Sequence, residues 1–468
     1  MGGPLMSDRI FIYGPPASGK TTFGSRLAKA LRRKSVDLDA EIVRRTGRSI
    51  PDIFAASGES EFRRIEGETL RAVAAEDTEG TAIVALGGGT LLDPANREFA
   101  ESAGRVWRLE APPPDELERR IALAPGSRPL GDKARERAAH YASFPRAIAA
   151  TFDLGKSLVA VGANLGGFGG FADIAVADAN VAEVYRDRLA SMPLHGIPSG
   201  EEHKRIETVC GIWSALRERG VSRGGRLLSF GGGVTSDMAG FAAATWMRGI
   251  DWINVPTTLL SMVDASTGGK TGCDLPEGKN LVGAFHPAAF VMIDADYLKK
   301  LPPRELASGQ AEMIKHEVIS GRLRTSVSGI PSPREIADNL AVKVEIVMQD
   351  PEEKTGRRML LNCGHTVGHA IEAASGYAIS HGEAVAIGCV EEAKIAVRLG
   401  LAQKNWPDAL AERLAAAGLP VSAPEYPLAS LVPLIASDKK RAGNGVTFAL
   451  PCGYGDVRPV HLAFGEIA

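Results

Sequence analysis

A glycine-rich loop near the start most constrains how this 468-residue chain can fold. The short apolar run 9–13 (RIFIY) is typical of a buried strand, and it leads directly into GPPASGKT at residues 14–21. This is the GxxxxGK[ST] pattern of a phosphate-binding loop. Such a loop works where a strand ends and a helix begins, because loop N–H groups and the helix dipole must point at one anion. The sequence therefore predicts an α/β domain built on a parallel sheet.

The loop and the carboxylates after it predict a site for ATP and magnesium. In such loops a lysine (here Lys20) bridges the β and γ phosphates, and the hydroxyl of Thr21 ligates magnesium. Asp37 and Asp39 follow one helix later, at the strand ends where α/β proteins bind ligands. Ala17 occupies a position where glycine is common, which is tolerable unless the backbone there needs a positive φ. We expect ATP contacts from Gly14, Ser18, Gly19, Lys20, Thr21 and Thr22.

Residues 9 to about 145 resemble shikimate kinase through this loop, the VDLDAE segment, GESEFRRIE, a triple glycine, and the arginines of SRPL and RERAAHY. The resemblance implies that Asp37 lies at the magnesium ion and that Asp39 holds a substrate hydroxyl. An arginine presents a planar fork to a carboxylate, which lysine does not. The resemblance further implies that ATP meets the lid residue Arg128 and that shikimate is held by Asp39, Arg63, Gly87, Gly88, Gly89 and Arg137. Lys20, Asp39 and Arg128 are expected to be catalytic.

A loop from Asp264 to His286 (DASTGGKTGCDLPEGKNLVGAFH) marks a second candidate site. Its glycines let the backbone approach a ligand, and Lys270, Lys279 and Asn280 supply donors for an anionic, hydroxyl-rich molecule. Upstream, RLLSF leads through Gly231–Gly233 into a helix start, an arrangement that points N–H groups at a phosphate. Any one of these lysines could be a solvated surface residue, so the interpretation depends on the whole set.

One carboxylate and several imidazoles farther along suggest a metal site. Glu312 lies in GQAEMIKHE, His365 and His369 in GHTVGHAIE, and His381 in HGEAVAIG. These ligand types suit a catalytic zinc that keeps an open coordination position. A lone histidine is more often a satisfied core residue, so the group carries the interpretation. His365 and His369 are four residues apart and share a helix face if their helix begins early enough.

Residues from about 173 to 460 resemble 3-dehydroquinate synthase. The matching motifs are PSGEEHK, GGGVTSDMAGF, RGIDWINVPTTLLSMVDASTGGKTGCDLPEGKN, GQAEMIK, LNCGHTVGHAIE, HGEAVAIG and SDKK. The resemblance implies cyclisation of 3-deoxy-D-arabino-heptulosonate 7-phosphate to 3-dehydroquinate with loss of phosphate. It implies NAD as a catalyst that is returned, and zinc or cobalt held by Glu312, His365 and His381. In that family the residue at His369 is not a ligand but lies over the substrate.

The same resemblance assigns residues to cofactor and substrate. It implies NAD contacts from Ser199, Gly200, Glu201, Lys204, Gly232, Gly233, Val234, Asp237, Thr257, Thr258, Lys270 and Lys279. It implies substrate contacts from Arg248, Asp264, Lys270, Lys279, Asn280, Lys315, Lys343, Arg358, Asn362, His369, and Lys439 or Lys440. Arg248 and Asp264 match a pair near the active site, and Lys343 matches if one residue is inserted near Pro351. Lys270, Lys279, Asn280, Lys315, Arg358 and His369 are expected to be catalytic.

The order of motifs predicts three domains. These are a phosphate-loop kinase domain at 1–152, a Rossmann-like α/β domain for NAD at 153–300, and an all-helical metal- and substrate-binding domain at 301–468. The glycine cluster 162–170 is the best candidate linker. The segment 317–342 is shorter than in the synthase family, so we expect an outer hairpin to be missing and 329–333 to make the turn. Donor atoms of the three metal ligands should still lie roughly 3–4 Å apart.

Composition restricts the partners and the compartment. A net charge of −2 argues against nucleic acid or an anionic membrane as partner. The five scattered cysteines suggest free thiols in the cytoplasm and not a disulfide framework. The chain shows neither an apolar run of membrane-spanning length nor a signal-peptide pattern at its start. The partners expected are therefore shikimate, ATP and the heptulosonate phosphate, and the resemblance implies a homodimer formed through the synthase half.

Two alternatives remain open on sequence grounds. The second half could be another sugar-phosphate cyclase or a metal-dependent polyol dehydrogenase. Lys315, Arg358 and the SDKK motif favour the dehydroquinate pathway, because phosphate and carboxylate need those charges. Alternatively, one half could be an inactive, binding-only scaffold, a possibility raised for the synthase half by its shortened segment.

Overall fold

The computed structural model describes residues 8–111, 136–144, 147–164, 167–276, 278–438 and 444–467. The chain divides into two compact units, Met1–Phe171 with Ala190–Met192, and Ala172–Leu189 with Pro193–Ala468. The domain boundaries expected at residues 152 and 300 stay predictions, because they were inferred from motifs and not from contacts. Among the described residues, no helix combines the length and apolar character needed to cross a membrane.

The first unit contains a parallel sheet of five strands in the order β2-β3-β1-β4-β5. All four residues of β1 are buried, as expected for a central strand with helices on both faces. The strands are β1 (Ile10–Tyr13), β2 (Ser35–Asp37), β3 (Ile83–Ala85), β4 (Arg105–Leu109) and β5 (Ala147–Ile148). An antiparallel pair follows, β6 (Ala150–Asp153) and β7 (Leu158–Val161).

The first two helices of this unit begin just after β1 and β2 end, which places their N-termini at one edge of the sheet. The helices are α1 (Lys20–Leu31), α2 (Leu38–Thr46), α3 (Ile50–Glu76), α4 (Pro94–Ala103) and α5 (Ala138–Ala142). Within α3, Gly58 has φ 75° and ψ −179°, so two helical segments meet at a sharp kink. A positive φ favours glycine, and this kink sets the direction of the second segment, which carries Arg63.

The second unit begins with α/β structure, in which parallel strands lie in the order β14-β11-β10-β8-β9. They are β8 (Ile174–Asp178), β9 (Leu194–Ile197), β10 (Arg226–Gly231), β11 (Asp251–Pro256) and β14 (Phe290–Ile293). The helices are α6 (Ala179–Val184), α7 (Arg186–Leu189), α8 (Ile206–Glu218) and α9 (Gly233–Thr245). The lysine-rich loop forms an antiparallel hairpin of β12 (Lys270–Leu275) and β13 (Gly278–Phe285).

The rest of this unit is helical up to Asp438. Its helices are α10 (Pro303–Ser320), α11 (Pro333–Gln349), α12 (His365–Ala374), α13 (His381–Arg398), α14 (Trp406–Ala415) and α15 (Leu428–Asp438). A hairpin of β15 (Gly445–Gly453) and β16 (Asp456–Ala463) then corrects the expectation of an entirely helical segment. The reason is visible in the sequence: Val446, Phe448 and Leu450 alternate with a period of two, and all three are buried.

The shortened segment is a compact connection between α10 and α11. Gly321 ends α10 with φ 65°, and Ser332 begins α11 with a capping box closed by Glu335. Buried Glu317 on α10 pairs with Arg413 on α14 and accepts a hydrogen bond from the backbone N–H of Thr325. Those contacts hold the connection against the helices, so both flanks of the shortened segment stay ordered.

Small residues allow the three helices that carry the expected metal ligands to meet at backbone distance. A Cβ atom on Gly382 of α13 would overlap Ser308 of α10, and one on Gly388 would overlap the carbonyl oxygen of Gly364, just before α12. A Cβ on Gly368 would lie 3.1 Å from the carbonyl oxygen of Ala384. Larger side chains at these positions would push α10, α12 and α13 apart, and their ligands with them.

Gly388→Ala is therefore expected to destabilise the protein by about 1–3 kcal/mol, the usual cost of overpacking. Gly211→Ala is the matched control, because a Cβ there would meet only His195 at an ordinary 3.6 Å and alanine is the better helix former. Thermal unfolding of both variants measures the effect. Equal melting temperatures would contradict the close packing described here.

Candidate active sites

The phosphate-binding loop has the strand–loop–helix geometry that the sequence predicts. Gly19 precedes α1 with φ 87°, and Ala17 has φ 58°, so the loop does need a positive φ where glycine is common. Lys20 donates from Nζ to the carbonyl oxygen of Pro15 at 2.8 Å. Burial lowers the pKa of Lys20 to about 8, although Asp39 and Asp37 oppose the shift. An ammonium group held in this way is available to an entering phosphate.

The two expected magnesium ligands are adjacent. Thr21 donates from Oγ1 to Asp37 Oδ2 at 2.6 Å, and Asp37 Oδ1 accepts from the N–H of Ala40 at 3.0 Å, which fixes the carboxylate at the start of α2. A hydroxyl beside a carboxylate is a donor set that suits magnesium. Burial, with repulsion from Asp37 and Glu66, raises the pKa of Asp39 to about 6.

A cavity of about 530 Å³ brings the kinase-like residues together. Its lining includes Gly19, Lys20, Thr21, Thr22, Asp37, Asp39, Arg63, Gly87, Gly88, Gly89 and Arg137. Arg63 is held by Glu66 at 2.7 Å and Glu59 at 3.1 Å, and a Cβ on Gly89 would lie only 2.6 Å from its guanidinium. Arg128, expected at ATP, lies outside the described residues.

Two tyrosines that the sequence analysis did not single out support the far side of this cavity. The hydroxyl of Tyr141 donates to the carbonyl oxygen of Gly88 at 2.6 Å, and Tyr13 donates to the same oxygen at 3.4 Å. Tyr141 follows Arg137 by one helical turn, a spacing that could have identified it. The triple glycine and the arginine-bearing helix are therefore joined by a hydrogen bond.

In the second unit, Glu312, His365 and His381 converge from α10, α12 and α13. Glu312 Oε1 lies 3.5 Å from His365 Nε2 and 3.6 Å from His381 Nε2, and all three donor atoms lie within 4.8 Å of one another. Ligands about 2 Å from a tetrahedral ion lie about 3.4 Å apart. The two distances from Glu312 fall within the 3–4 Å expected from the sequence, and the donor set fits zinc or cobalt.

Electrostatics favours the ligating form of two of these three groups, the carboxylate of Glu312 and the neutral imidazole of His365. Burial would raise the pKa of Glu312, but the adjacent Lys315 ammonium and the two imidazoles hold it well below its usual range. Burial lowers the pKa of His365 well below its usual range, which leaves its lone pair free to ligate. Burial opposes protonation of His381 as well, but the nearby carboxylates of Glu312 and Glu372, at 3.6 and 3.5 Å, raise its pKa to about 10.

Glu372 is a site residue that the sequence analysis missed. It is buried on α12, where Oε2 lies 3.5 Å from His381 Nδ1 and Oε1 lies 3.3 Å from Lys279 Nζ. Lys279 also pairs with Glu201 at 3.2 Å. The spacing gave a signal, because Glu372 follows His365 by seven residues and therefore lies on the same helix face. His369, from the same face, lies with its ring centroid 6.1 Å from that of His381.

Several of the residues expected at NAD lie at or beside the start of α9. Gly232 precedes this helix, and a Cβ there would lie 3.1 Å from Thr258, so glycine is what lets the loop and Thr258 pack this closely. Lys204 pairs with Asp237 at 2.7 Å and donates to Asn280 at 2.8 Å. Elsewhere in the group, Ser199 donates to Asp178 at 2.8 Å, and Gly200 has φ 105°. A helix N-terminus with small residues suits a dinucleotide phosphate.

The expected substrate residues occupy several separate contacts. Lys343 donates to Asp264 Oδ1 at 2.8 Å, Arg358 donates to the carbonyl oxygen of Pro351 at 2.9 Å, and Lys270 pairs with Glu353 at 2.6 Å. Asn362 lies half-buried in the 3₁₀ turn Arg357–Asn362, just before α12.

The expected neighbours Arg248 and Asp264 are not brought together. In the part of the chain that the structure describes, no ion pair joins them, and Asp264 faces Lys343 instead. Arg248 is exposed, with φ 69°, at the end of a 3₁₀ turn that follows α9. Lys439 and Lys440 lie outside the described residues.

Comparison with known protein families matches both halves of the chain. Residues 194–308 match the family described as 3-dehydroquinate synthase N-terminal, residues 309–441 the 3-dehydroquinate synthase C-terminal family, and residues 16–147 the shikimate kinase family. A 3-dehydroquinate synthase from Synechococcus is 45% identical over 276 residues, which are 56% of this chain and 75% of that protein. One from Symbiobacterium thermophilum is 42% identical over 306 residues, 60% of this chain and 84% of that protein.

Solved structures agree on the fold of the second unit. A 2-deoxy-scyllo-inosose synthase in complex with carbaglucose-6-phosphate, NAD⁺ and Co²⁺ is 28% identical, with a TM-score of 0.57, over 63% of this chain and 88% of that one. The 2-epi-5-epi-valiolone synthase of Streptomyces hygroscopicus, with NAD⁺ and Zn²⁺ bound, is 28% identical with a TM-score of 0.58 over the same shares. The chain belongs to the 3-dehydroquinate synthase family, and ahead of that synthase it carries a shikimate kinase domain.

Proposed function

We propose that this chain catalyses two reactions of aromatic biosynthesis. The first unit transfers a phosphoryl group from ATP to the 3-hydroxyl of shikimate. The second converts 3-deoxy-D-arabino-heptulosonate 7-phosphate to 3-dehydroquinate with release of phosphate. The observation that carries the second assignment is the convergence of Glu312, His365 and His381 beside Lys315. The first rests on the cavity that the phosphate loop shares with Arg137.

In the kinase site, positioning and charge stabilisation account for the chemistry. Lys20 and the loop N–H groups bind the phosphates of ATP, and Thr21 and Asp37 would hold the magnesium ion that neutralises them. Arg137 binds the carboxylate of shikimate at the other end of the cavity. Asp39, between these groups, accepts a hydrogen bond from the attacking hydroxyl and orients it toward the γ-phosphate.

The synthase site has residues for two bound groups. Glu312, His365 and His381 would hold zinc or cobalt, which lowers the pKa of the substrate hydroxyls that it binds. The start of α9 would hold NAD, which would supply a hydride acceptor that is regenerated within the reaction. Related cyclases with NAD⁺ and either Co²⁺ or Zn²⁺ bound support both assignments.

The chain's own residues orient the substrate and hold its charges. Lys270, Lys315 and Arg358 are the cations that would surround its phosphate and carboxylate. Lys343 holds Asp264 in place, so that its carboxylate can accept from a substrate hydroxyl. Asn280 and Asn362 would add neutral donors, and His369 would lie over the substrate.

The two alternatives receive less support. A different sugar-phosphate cyclase is disfavoured because the curated synthases are 40–45% identical to this chain, whereas the cyclases of solved structure are 28% identical. An inactive synthase half is disfavoured because both flanks of the shortened segment keep Glu312 and His365 together. We further propose a homodimer formed through the synthase half and a cytoplasmic location, the latter because all five cysteines are free.

Lys20→Ala should abolish phosphorylation of shikimate and leave dehydroquinate formation unchanged. The substitution removes the charge that bridges the phosphates, and we expect kcat to fall on the order of 10²-fold or more. Parallel assays of both reactions on the same purified variant make the measurement. Loss of both activities in a folded variant would contradict the assignment of the reactions to separate sites.

Arg137→Lys should raise the KM for shikimate roughly tenfold while the KM for ATP stays unchanged. Lysine keeps the charge but loses the fork, and one charge-assisted hydrogen bond is worth about 1.5–3 kcal/mol. Arg64→Lys, on the exposed face of α3, is the control. An unchanged KM for shikimate would exclude the carboxylate role.

His381→Ala should remove most bound zinc and eliminate dehydroquinate formation, because an open three-ligand site loses one protein ligand. Metal analysis of the purified protein gives the result. His461→Ala provides a matched control, since this exposed histidine lies on β16 beside Thr447. Full zinc occupancy in His381→Ala would show that His381 is not a ligand.

A further inference from the structure

We propose that Glu372 is a positioning residue that orients the metal ligand His381 with one carboxylate oxygen and holds Lys279 with the other. The inference rests on the proposed metal-dependent synthase activity. Glu372 Oε2 lies 3.5 Å from His381 Nδ1, and Oε1 lies 3.3 Å from Lys279 Nζ. The side chain is 95% buried, so both contacts are formed largely out of water.

The two ring nitrogens of His381 face different carboxylates, so one nitrogen can bind the metal while the other donates its proton. Nε2 faces Glu312, on the side where a metal would be bound. A ligating imidazole carries its proton on the other nitrogen, and a carboxylate that accepts this proton fixes the ring and raises its basicity. Within the described ranges, Glu372 is the carboxylate that faces Nδ1 of His381. It would therefore set both the tautomer and the direction of the lone pair.

The corresponding nitrogen of His365 faces a weaker partner than the carboxylate that faces His381. His365 Nδ1 lies 3.0 Å from the backbone carbonyl oxygen of Cys363. A carbonyl oxygen carries only a partial charge, and a side-chain substitution does not remove it. The carboxylate of Glu372 carries a full negative charge, which also offsets the charge of a divalent ion at the site.

Helix packing keeps Glu372 at a fixed distance from His381. The residue lies one turn beyond Gly368, where a Cβ would come within 3.1 Å of the carbonyl oxygen of Ala384 on α13. A buried carboxylate must be paired to be tolerated, and here its partners are an imidazole and an ammonium group. Glu372 is thus held by the same contacts that hold the metal ligands.

The other oxygen of Glu372 extends the chain of contacts toward the expected NAD site. Lys279 lies 3.2 Å from Glu201 and 4.3 Å above the ring centroid of Tyr377. Glu372 therefore stands between a metal ligand and a lysine expected to meet cofactor and substrate. Removing the charge of Glu372 should weaken metal binding at His381, and it should leave Lys279 less constrained.

The test measures metal affinity and not turnover. The full-length chain is stripped of metal, and Zn²⁺ or Co²⁺ is titrated in competition with a chromophoric chelator. Glu372→Gln keeps the size and an acceptor oxygen but removes the charge, and its affinity should fall about 10–100-fold. Glu353→Gln is the matched control, because Glu353 pairs with Lys270 and with none of the metal ligands. Its metal affinity should equal that of the wild type.

Each outcome has a defined meaning. If the wild-type chain binds neither ion, the proposed synthase function fails, and the inference fails with it. If the wild type binds metal and Glu372→Gln binds it equally well, the inference alone is overturned. A changed visible spectrum of the Co²⁺ form, together with an unchanged melting temperature of the metal-free variant, would support positioning over general destabilisation. If Glu372→Gln does not fold, Glu372→Asp decides, because its shorter stem keeps the charge but withdraws it from His381, and unchanged affinity would overturn the inference.

Discussion

The buried carboxylate of Glu312 is the constraint on which the second unit depends. Glu312 is fully buried, and an uncompensated charge at such a depth would cost several kcal/mol. Lys315 of α10 and His381 of α13 supply the compensation, and His365 of α12 lies 3.5 Å from the same carboxylate, so three helices meet there. These helices must therefore pack at a fixed distance, which the glycines at 364, 368, 382 and 388 permit. A local charge thus governs the packing of an entire helical layer.

The kinase unit solves a related problem with a different architecture. Its charged residues lie at one edge of a parallel sheet. Lys20 comes after β1, and Asp37 is the last residue of β2. The cavity there has room for substrates, whereas the candidate metal ligand Glu312 of the second unit is fully buried. This difference fits the proposed chemistries, because a phosphoryl transfer needs room for two substrates and a metal-assisted cyclisation needs rigidly held ligands.

The shortened connection between α10 and α11 shows how a deletion can spare a site. Glu317 and Lys315 lie two residues apart on α10, but they face different neighbours. Glu317 secures the connection through Arg413 and the Thr325 N–H, while Lys315 pairs with Glu312. Because the two tasks belong to different faces of one helix, the connection can change in length without moving the ligands.

Several elements were determined by the sequence itself. The phosphate loop could be predicted from the strand before GPPASGKT, and the N-terminus of α9 from the glycines that begin it. The shared helix face could be predicted from the spacing of His365 and His369, because each of these features obeys a local rule of geometry. The hairpin of β15 and β16 also had a local signal, a period of two, which the expectation of a helical domain overrode. Motif resemblance added the ligand set Glu312, His365 and His381, which no spacing could join across three helices.

Tertiary structure decided what depends on contacts between distant segments. Packing between elements brings Glu372 to both His381 and Lys279. It also places Tyr141 against Gly88, and it pairs Asp264 with Lys343 and not with Arg248. A sequence specifies which faces are apolar and where helices begin, but the partner of a buried charge is chosen by the fold, because such a charge pairs with whatever opposite charge packing brings within about 4 Å.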